Sequence, residues 1–465
     1  MLALTLAPNA PSLHRALYDA LRGAILDGRL RSGMRLPSSR ALGEELGVAR
    51  GTVVAVFEQL AGEGYVTSRH GSGTVVAAEL PDAWFRAAAG DEASAPARRP
   101  RVPLHMPVGS PFASRSRPAP RPFRAHVPAV DEFPMAIWSK LVARHAREES
   151  HFLVDGEASG YWPLRRAVAD YLRTARGVRC ADENVVIASG AQPLLACLSR
   201  VILGRGSVVA VEDPGYEGAR AIFRTLGAAI APVPVDASGL LVSRLPPSAR
   251  LVYVTPGHHA PLGVTMSAER RLALLVWAAK HDAYVLEDDY DGEYRYEGRP
   301  VAALQSLDRE VIHIGTFSKT MLPSLRLAYA VLPDALVEPY LAMTSLFERF
   351  TPTLFQAALA DFLEAGHFER HLRRMRLLYA ERRSALVEAL DGFEIVGANA
   401  GIDLALYLSK PDREVSRRLA EARVEAAPLS ASNLRARANG LVLGFAAFSP
   451  ARIRRAAEIL KRIAG

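Results

Sequence analysis

From residue 126 to the end of the chain, short apolar runs alternate with longer amphipathic stretches, and that alternation leaves few folds open. Runs at 185–188, 208–211, 251–254, 284–286 and 311–314 are too short for helices and read as strands. Helical patterns fall between them, the clearest at 194–201. Strands separated in this way predict a mostly parallel sheet covered by helices on both faces, an α/β architecture. In such sheets ligands gather beyond the carboxyl ends of the strands. The glycine, hydroxyl and carboxylate motifs of this chain stand at those ends, and no repeat of about 20–50 residues competes with the reading.

The run ending at Ile314 continues Gly315-Thr316-Phe317-Ser318-Lys319, with Arg326 seven positions further on. The chain has five lysines against 52 arginines, so a lysine in a semi-apolar stretch is conspicuous. Arginine cannot replace a lysine that must lose its proton and form a Schiff base. Upstream, 284–286 runs into Glu287-Asp288-Asp289-Tyr290-Asp291. Pyridoxal phosphate needs a lysine for its aldehyde, a carboxylate for its pyridinium nitrogen, and donors for its phosphate and phenolate. These two stretches supply such groups. Ser189-Gly190-Ala191-Gln192 opens a helix whose amides can hold a phosphate. Arg326 with Ser318 can clamp the same anion. Tyr216, after Pro214-Gly215, can lie over a flat ligand. His258 and His259 lack metal-ligand spacing and are expected at the pocket edge; no metal site is expected.

The first segment has a different pattern. Leu13, Leu17, Leu21 and Ile25 mark one helix, and Ser38 or Ser39 caps a second with Leu42 and Leu46 on one face. Gly47 ends it, and a third follows with Val53, Val56, Phe57 and Leu60 inward. Two helices joined by a tight turn form a helix-turn-helix, whose second helix would present Arg50, Gly51 and Thr52 at its start. Residues 64–76 then read as strand, glycine turn, strand: a wing, with Arg69 placed to reach a groove.

Composition adds bounds. Two cysteines give no disulfide framework, which suits a reducing cytoplasm, and no apolar stretch approaches a membrane span. The formal charge of +8 is moderate. Residues 1–80 carry eight arginines and seven acids, so DNA binding rests on pattern there rather than bulk charge. Residues 79–125 are rich in alanine, proline and arginine and read as a semi-extended tether, with Trp84 and Phe85 opening it as a short docked helix. Three segments result: a winged helix at 11–78, a linker at 79–125 and the α/β domain at 126–465.

Gly33-x-Arg-Leu-Pro-Ser-Ser-Arg40, Glu63-Gly64-Tyr65 and Arg69-x-Gly-Ser-Gly-Thr74 resemble the GntR-type winged helix. In that resemblance Arg35, Ser38, Arg40, Arg50, Thr52 and Gly71 match positions that face DNA. Residues 126–465 resemble fold-type I aminotransferases, and the whole chain resembles the MocR branch of GntR regulators, in which the two are fused. Stretches 160–165, 212–220, 286–296, 303–308 and 315–319 carry that likeness. It implies that Lys319 forms the Schiff base, Asp288 pairs the pyridine nitrogen, Tyr290 lies near the phenolate oxygen and Tyr216 stacks on the ring. Ser189, Gly190, Ala191, Ser318 and Arg326 would surround the phosphate, and Tyr161 would be donated across a homodimer.

The chain departs from the pattern at Pro193, at 257–260, and at Val442, which stands where aminotransferases carry a carboxylate-binding arginine. Arg435 and Arg437 lie upstream but out of register. A retained cofactor site with a lost substrate anchor implies sensing over turnover. The expected function is a cytoplasmic regulator of operator DNA, responsive to pyridoxal phosphate alone or with an amine or amino-acid ligand. Genes of vitamin B6, amine or amino-acid metabolism are the expected targets. The rival is a working aminotransferase with an accessory DNA-binding domain.

Overall fold

A computed structural model describes residues 4, 6, 10–69, 73–81, 119–147, 155–298 and 301–465. Gly71 and most of the expected linker, including Trp84 and Phe85, lie outside the described residues. The chain divides into two compact units, Met1–His105 and Met106–Gly465.

In the first unit, helix α1 (Leu13–Leu26) starts at Ser12, whose hydroxyl accepts from the Arg15 amide. Its buried stripe is Leu17, Leu21 and Ile25, whereas Leu13 is exposed. Helix α2 (Ser39–Leu46) is capped by Ser38, which accepts from the Ala41 amide, and ends at Gly47 in the left-handed region. Helix α3 (Arg50–Gly62) follows and buries Val53, Val56, Phe57 and Leu60. The turn is tight enough that a Cβ on Gly43 would fall 2.7 Å from the Val48 carbonyl oxygen. Strands β1 (Val66–Arg69) and β2 (Gly73–Val76) pair antiparallel, with Arg69 opposite Gly73. The chain at 33–36 adds to this hairpin: the Gly33 amide donates to Val76 and the Leu36 amide to Thr74. One core of Leu17, Leu21, Leu42, Val56 and Leu60 ties helices and wing together.

The second unit begins with helices α4 (Met135–Arg147) and α5 (Trp162–Arg176). Then come β3 (Val185–Ala188), α6 (Ala191–Ile202), β4 (Val208–Asp213), α7 (Glu217–Thr225), β5 (Ala229–Asp236) and β6 (Gly239–Leu240). Next are β7 (Ala249–Val254), α8 (Ala268–His281), β8 (Tyr284–Asp289), β9 (Ile312–Thr316) and β10 (Ala328–Val331). The sheet order is β3-β10-β9-β8-β7-β4-β5-β6. Five neighbouring strands, β9 through β5, run parallel. Strand β10 is antiparallel to both its neighbours, and β6 is antiparallel to β5.

The five anticipated runs are β3, β4, β7, β8 and β9; β5 and β10 were not anticipated. Strand β5 holds Pro232 and Pro234, which weaken its strand signal, and it tolerates them beside a neighbour as short as β6. Helices α9 (Asp334–Phe347), α10 (Thr353–Glu364) and α11 (His367–Ala389) lead to a second, all-antiparallel sheet. Its strands β11 (Ile395–Val396), β12 (Asp403–Tyr407), β13 (Ala427–Pro428) and β14 (Gly440–Gly444) take the order β11-β12-β14-β13. Helices α12 (Asp412–Glu421) and α13 (Pro450–Ala464) cover it. Among the described residues no helix is long and apolar enough to cross a membrane.

Candidate cofactor site and nucleic-acid interface

The reversed strand β10 assembles the site. Because it runs against β3 and β9, its beginning lies beside the carboxyl ends of both, with Ala328 opposite Ala188 and Thr316. Arg326, just before β10, is therefore delivered to the start of α6 after β3 and to the turn after β9 that carries Lys319. Arg326 adopts a left-handed backbone conformation. A Cβ on Gly190 would fall 2.5 Å from its Nη2, so only a glycine leaves that guanidinium its place. Gly190 is the N-cap of α6, so the start of that helix and the Arg326 guanidinium meet at this residue. This is an anion cradle made of a helix start and one cation.

Lys319 is half-buried, and its ammonium donates to the His126 carbonyl at 2.8 Å. Burial pulls its basicity below the ordinary lysine range, while Asp403, Asp291 and Asp288 oppose that pull. Asp288 is the next-to-last residue of β8, the strand beside β9; it is buried and accepts from the Tyr253 hydroxyl. Burial raises its carboxyl to about 6 against the stabilising Tyr253 bond. Tyr216 caps α7, receives a hydrogen bond from Gln192 Nε2 at 3.0 Å, and is pushed up to about 12, chiefly by burial. The Tyr290 ring meets His126 edge-on and its hydroxyl lies 3.1 Å from His258 Nδ1.

Ser318 donates its amide to Thr316 Oγ1 in the turn before Lys319. Ser189 bonds Glu348 at 2.6 Å, so its hydroxyl is engaged with a carboxylate in this arrangement. Tyr161 caps α5 and its amide donates to Gln356 Oε1. A half-buried lysine amine, a buried carboxylate on the adjoining strand and an arginine–glycine anion cradle fit pyridoxal phosphate. Each of its aldehyde, ring nitrogen and phosphate finds a group of the matching chemistry.

His258 and His259 are not at a pocket edge. Both are buried: His258 sits 3.0 Å from Asp291, and His259 lies 3.7 Å from Glu212. Burial works against the His258 proton, but Asp291 outweighs it and holds the imidazole above its usual range. Burial lowers His259 to about 3. Sequence reasoning passed over His126, Tyr253, Glu212, Asp291 and Asp403. Each is an ordinary residue in its local stretch and gains meaning only from partners far along the chain. Val442 is buried and packs with Leu262 and Leu429, beneath the small sheet's surface.

On the winged unit, Arg35, Ser38, Arg40, Arg50 and Gly51 are exposed and Thr52 is half-exposed. Arg50 begins α3 and Arg40 sits on α2 beside Glu44 at 3.4 Å. Arg35 pairs with Val75 of the wing, and its guanidinium lies so close to Gly73 that a Cβ there would be 2.8 Å from Nε. Arg35 thus ties the segment that leads into α2 to the wing. Arg69 lies at the end of β1.

The family described as gntR-family bacterial regulatory proteins matches residues 13–76. The family described as aminotransferase class I and II matches residues 136–460. The chain is 39% identical to the probable rhizopine catabolism regulatory protein MocR of Rhizobium meliloti, over 99% of this chain and 95% of that protein. It is 32% identical to the pyridoxine biosynthesis transcriptional regulator PdxR of Corynebacterium glutamicum, over 96% and 94%. Among solved structures, the kynurenine aminotransferase of Pyrococcus horikoshii, determined with PMP, shares 26% identity. That match has a TM-score of 0.68 and covers 73% of this chain and 89% of the other. The amino-terminal winged helix, the lysine-centred pocket of the second unit and these full-length relatives place the chain in the MocR-type group of GntR regulators, whose second domain is an aminotransferase-like pyridoxal-phosphate domain.

Proposed function

We propose that pyridoxal phosphate, alone or together with an amine ligand, sets how tightly this regulator holds its operator. The observation that carries the reading is the contrast within one pocket. Every group needed to hold the cofactor is present, while the position expected to anchor an amino acid's carboxylate is Val442, buried in an apolar cluster.

When bound, pyridoxal phosphate supplies an aldehyde that reacts reversibly with primary amines. The chain does the rest. Burial leaves the Lys319 amine more readily deprotonated, hence nucleophilic. Asp288 as a carboxylate holds a proton on the ring nitrogen, and the Tyr253 hydroxyl steadies that carboxylate. Arg326 and the amides at 190–191 anchor the phosphate, with Ser189 and Ser318 alongside. Tyr216 covers one ring face, Tyr290 stands by the phenolate oxygen, and Tyr161 serves the same site in a second copy of the chain. Arg35, Ser38, Arg40, Arg50, Thr52, Arg69 and Gly71 meet the DNA, the arginines as phosphate and base-edge donors. The functional segments are 11–78, 79–125 and 126–465, and a homodimer would present two winged helices to paired half-sites.

Control requires that the ligand bind the DNA-competent and DNA-incompetent states with different affinity. The names of the relatives, for rhizopine catabolism and pyridoxine biosynthesis, support targets in amine or vitamin B6 metabolism. The test is binding to DNA upstream of the chain's own gene, at fixed salt, with and without pyridoxal phosphate. The expected outcome is an affinity change that disappears in Lys319→Ala. Binding that ignores pyridoxal phosphate and every amine tried would overturn it. The lysine site is also the equipment of a transaminase, so rapid amino-group exchange between an amino-acid donor and a keto-acid acceptor would favour an aminotransferase instead.

A further inference from the structure

His126 is the unusual residue of the pocket. It is exposed, yet its backbone sits at φ 65°, a left-handed conformation that costs a non-glycine residue energy and is normally left to glycine. The surrounding structure holds it there from several sides. Phe123 bridges to Gly444 at the end of β14, and Gly444 pairs with Asp403 at the start of β12. The His126 amide donates to Asp403 Oδ1 at 2.8 Å, and its Nδ1 lies 2.6 Å from Asp403 Oδ2. Its carbonyl accepts from the Lys319 ammonium. One residue thus joins the reactive lysine to a carboxylate that is only 4% exposed. Strain kept at a pocket and over-determined by its neighbours points to a role in the pocket.

The charges that act on the Lys319 amine are Asp403, Asp291 and Asp288, all negative. Burial favours the neutral form of Asp403, but His126 outweighs it and keeps the carboxyl ionised. Any amine that competes with Lys319 for the cofactor must bring its nitrogen to where Lys319 Nζ now lies. Since Lys319 Nζ donates to the His126 carbonyl, the next substituent of such an amine would lie near the residue that carries the pair.

We propose that the His126–Asp403 pair is the effector-selecting subsite, and that it admits primary amines whose second group is a hydrogen-bond donor, a hydroxyl or another amine, and rejects those whose second group is a carboxylate. The proposal rests on the pyridoxal-phosphate reading above and narrows its ligand class. Asp403 supplies the acceptor, and an incoming carboxylate would meet a fixed like charge in a partly desolvated site. No arginine at position 442 offsets that repulsion. Arg435 and Arg437 are exposed on the loop that Asp213 fastens through the Leu434, Arg435 and Ala436 amides, and they are the groups through which a carboxylate could still be held.

The test uses the full-length protein loaded with pyridoxal phosphate and two matched pairs of probes, ethanolamine against glycine and 1,3-diaminopropane against β-alanine. The absorbance of the bound cofactor reports displacement of Lys319 at each probe concentration. Ethanolamine and 1,3-diaminopropane are expected to half-saturate the change at concentrations at least about tenfold lower than their carboxylate partners. Asp403→Asn, which keeps shape and removes charge, is expected to bring each pair to within about threefold. His126→Gly, which relieves the left-handed strain, is expected to lose the discrimination as well. Preference for glycine and β-alanine that falls in Arg435→Ala or Arg437→Ala would overturn the proposal in favour of a carboxylate clamp on that loop. Unchanged discrimination in Asp403→Asn would also overturn it. Failure of the wild-type protein to form a borohydride-reducible chromophore at Lys319 would overturn this inference and the cofactor reading together. The expected amine series with DNA affinity unmoved would uphold the subsite and sink the regulator reading alone.

Discussion

At the scale of single residues, the pocket wall holds ionisable groups tuned by burial as much as by partners. Glu212, at the end of β4, is fully enclosed and accepts from the Thr255 amide and hydroxyl, 3.0 and 2.7 Å away. Burial raises its carboxyl to about 8 despite those bonds, so it is largely protonated near neutral pH. Its folded value lies above its unfolded value. The stability it contributes is therefore complete below about pH 4.5 and is lost as pH rises through about 8. Glu212→Gln keeps the acceptor oxygen for Thr255 and removes the ionisation. The variant is expected to match the wild type in acid and to exceed it by a few kcal/mol in alkali. Thermal unfolding of both proteins across that pH range checks it; parallel pH curves would refute it. Asp288 works in the opposite sense for binding. The ring nitrogen needs the carboxylate form, so cofactor affinity is expected to fall as pH drops through about 6, and Asp288→Asn to lose that dependence. Equilibrium titration of the apoprotein measures both.

At the scale of elements, two glycines set close approaches that no other residue permits. Gly190→Ala places a Cβ 2.5 Å from Arg326 and adds strain at φ 118°. The guanidinium must move off the helix start, so affinity for pyridoxal phosphate is expected to drop at least about tenfold, about 1.4 kcal/mol. The fold should survive, which circular dichroism and a Kd measurement separate. In the winged unit, Gly43→Ala drives a Cβ into the Val48 carbonyl across the helix-turn-helix bend. Since backbone atoms yield less readily than side-chain tips, about 1–3 kcal/mol of stability and most DNA affinity should go. Ser38→Ala removes only the α2 cap and is expected to cost about 1 kcal/mol. A cap loss larger than the bend's would contradict this ranking of the two.

For the whole molecule, the coupling between ligand and DNA must be reciprocal. If pyridoxal phosphate changes operator affinity by some factor, operator DNA must change pyridoxal-phosphate affinity by the same factor. Measuring both at one salt concentration checks the linkage, and unequal factors would mean that further states or assemblies take part. DNA affinity should also fall steeply with salt. Arg50→Ala should reduce that slope by about one if the residue meets a phosphate, and relax sequence preference if it meets a base.

Much of this was legible from residue order, because the evidence was local. Periodicity gave α1, α2 and α3, and short apolar runs gave five strands of the large sheet, since burial on both faces writes itself into consecutive residues. Lys319, Asp288 and Tyr290 stood out because each lies at or just past the carboxyl end of a strand, where such sheets place their ligands. Strands β5 and β10 were missed because prolines and alanines carry weak strand signals, and the sheet accepts them for what lies on either side. The histidines at 258 and 259, expected at an edge, are buried where Glu212 of β4 and Tyr290 and Asp291, just past β8, converge on them.

The sequence by itself thus determined the two-part architecture and the cofactor class, and it singled out Lys319 as the lysine to test, because these rest on residue types spaced along short stretches. Only the tertiary structure decided that β10 turns back to carry Arg326 to Gly190, and that His126 and Asp403, some 277 positions apart, meet beside Lys319. Contacts between distant parts of a chain leave no pattern in their own neighbourhoods, so the meeting of these groups became readable only when the chain was folded.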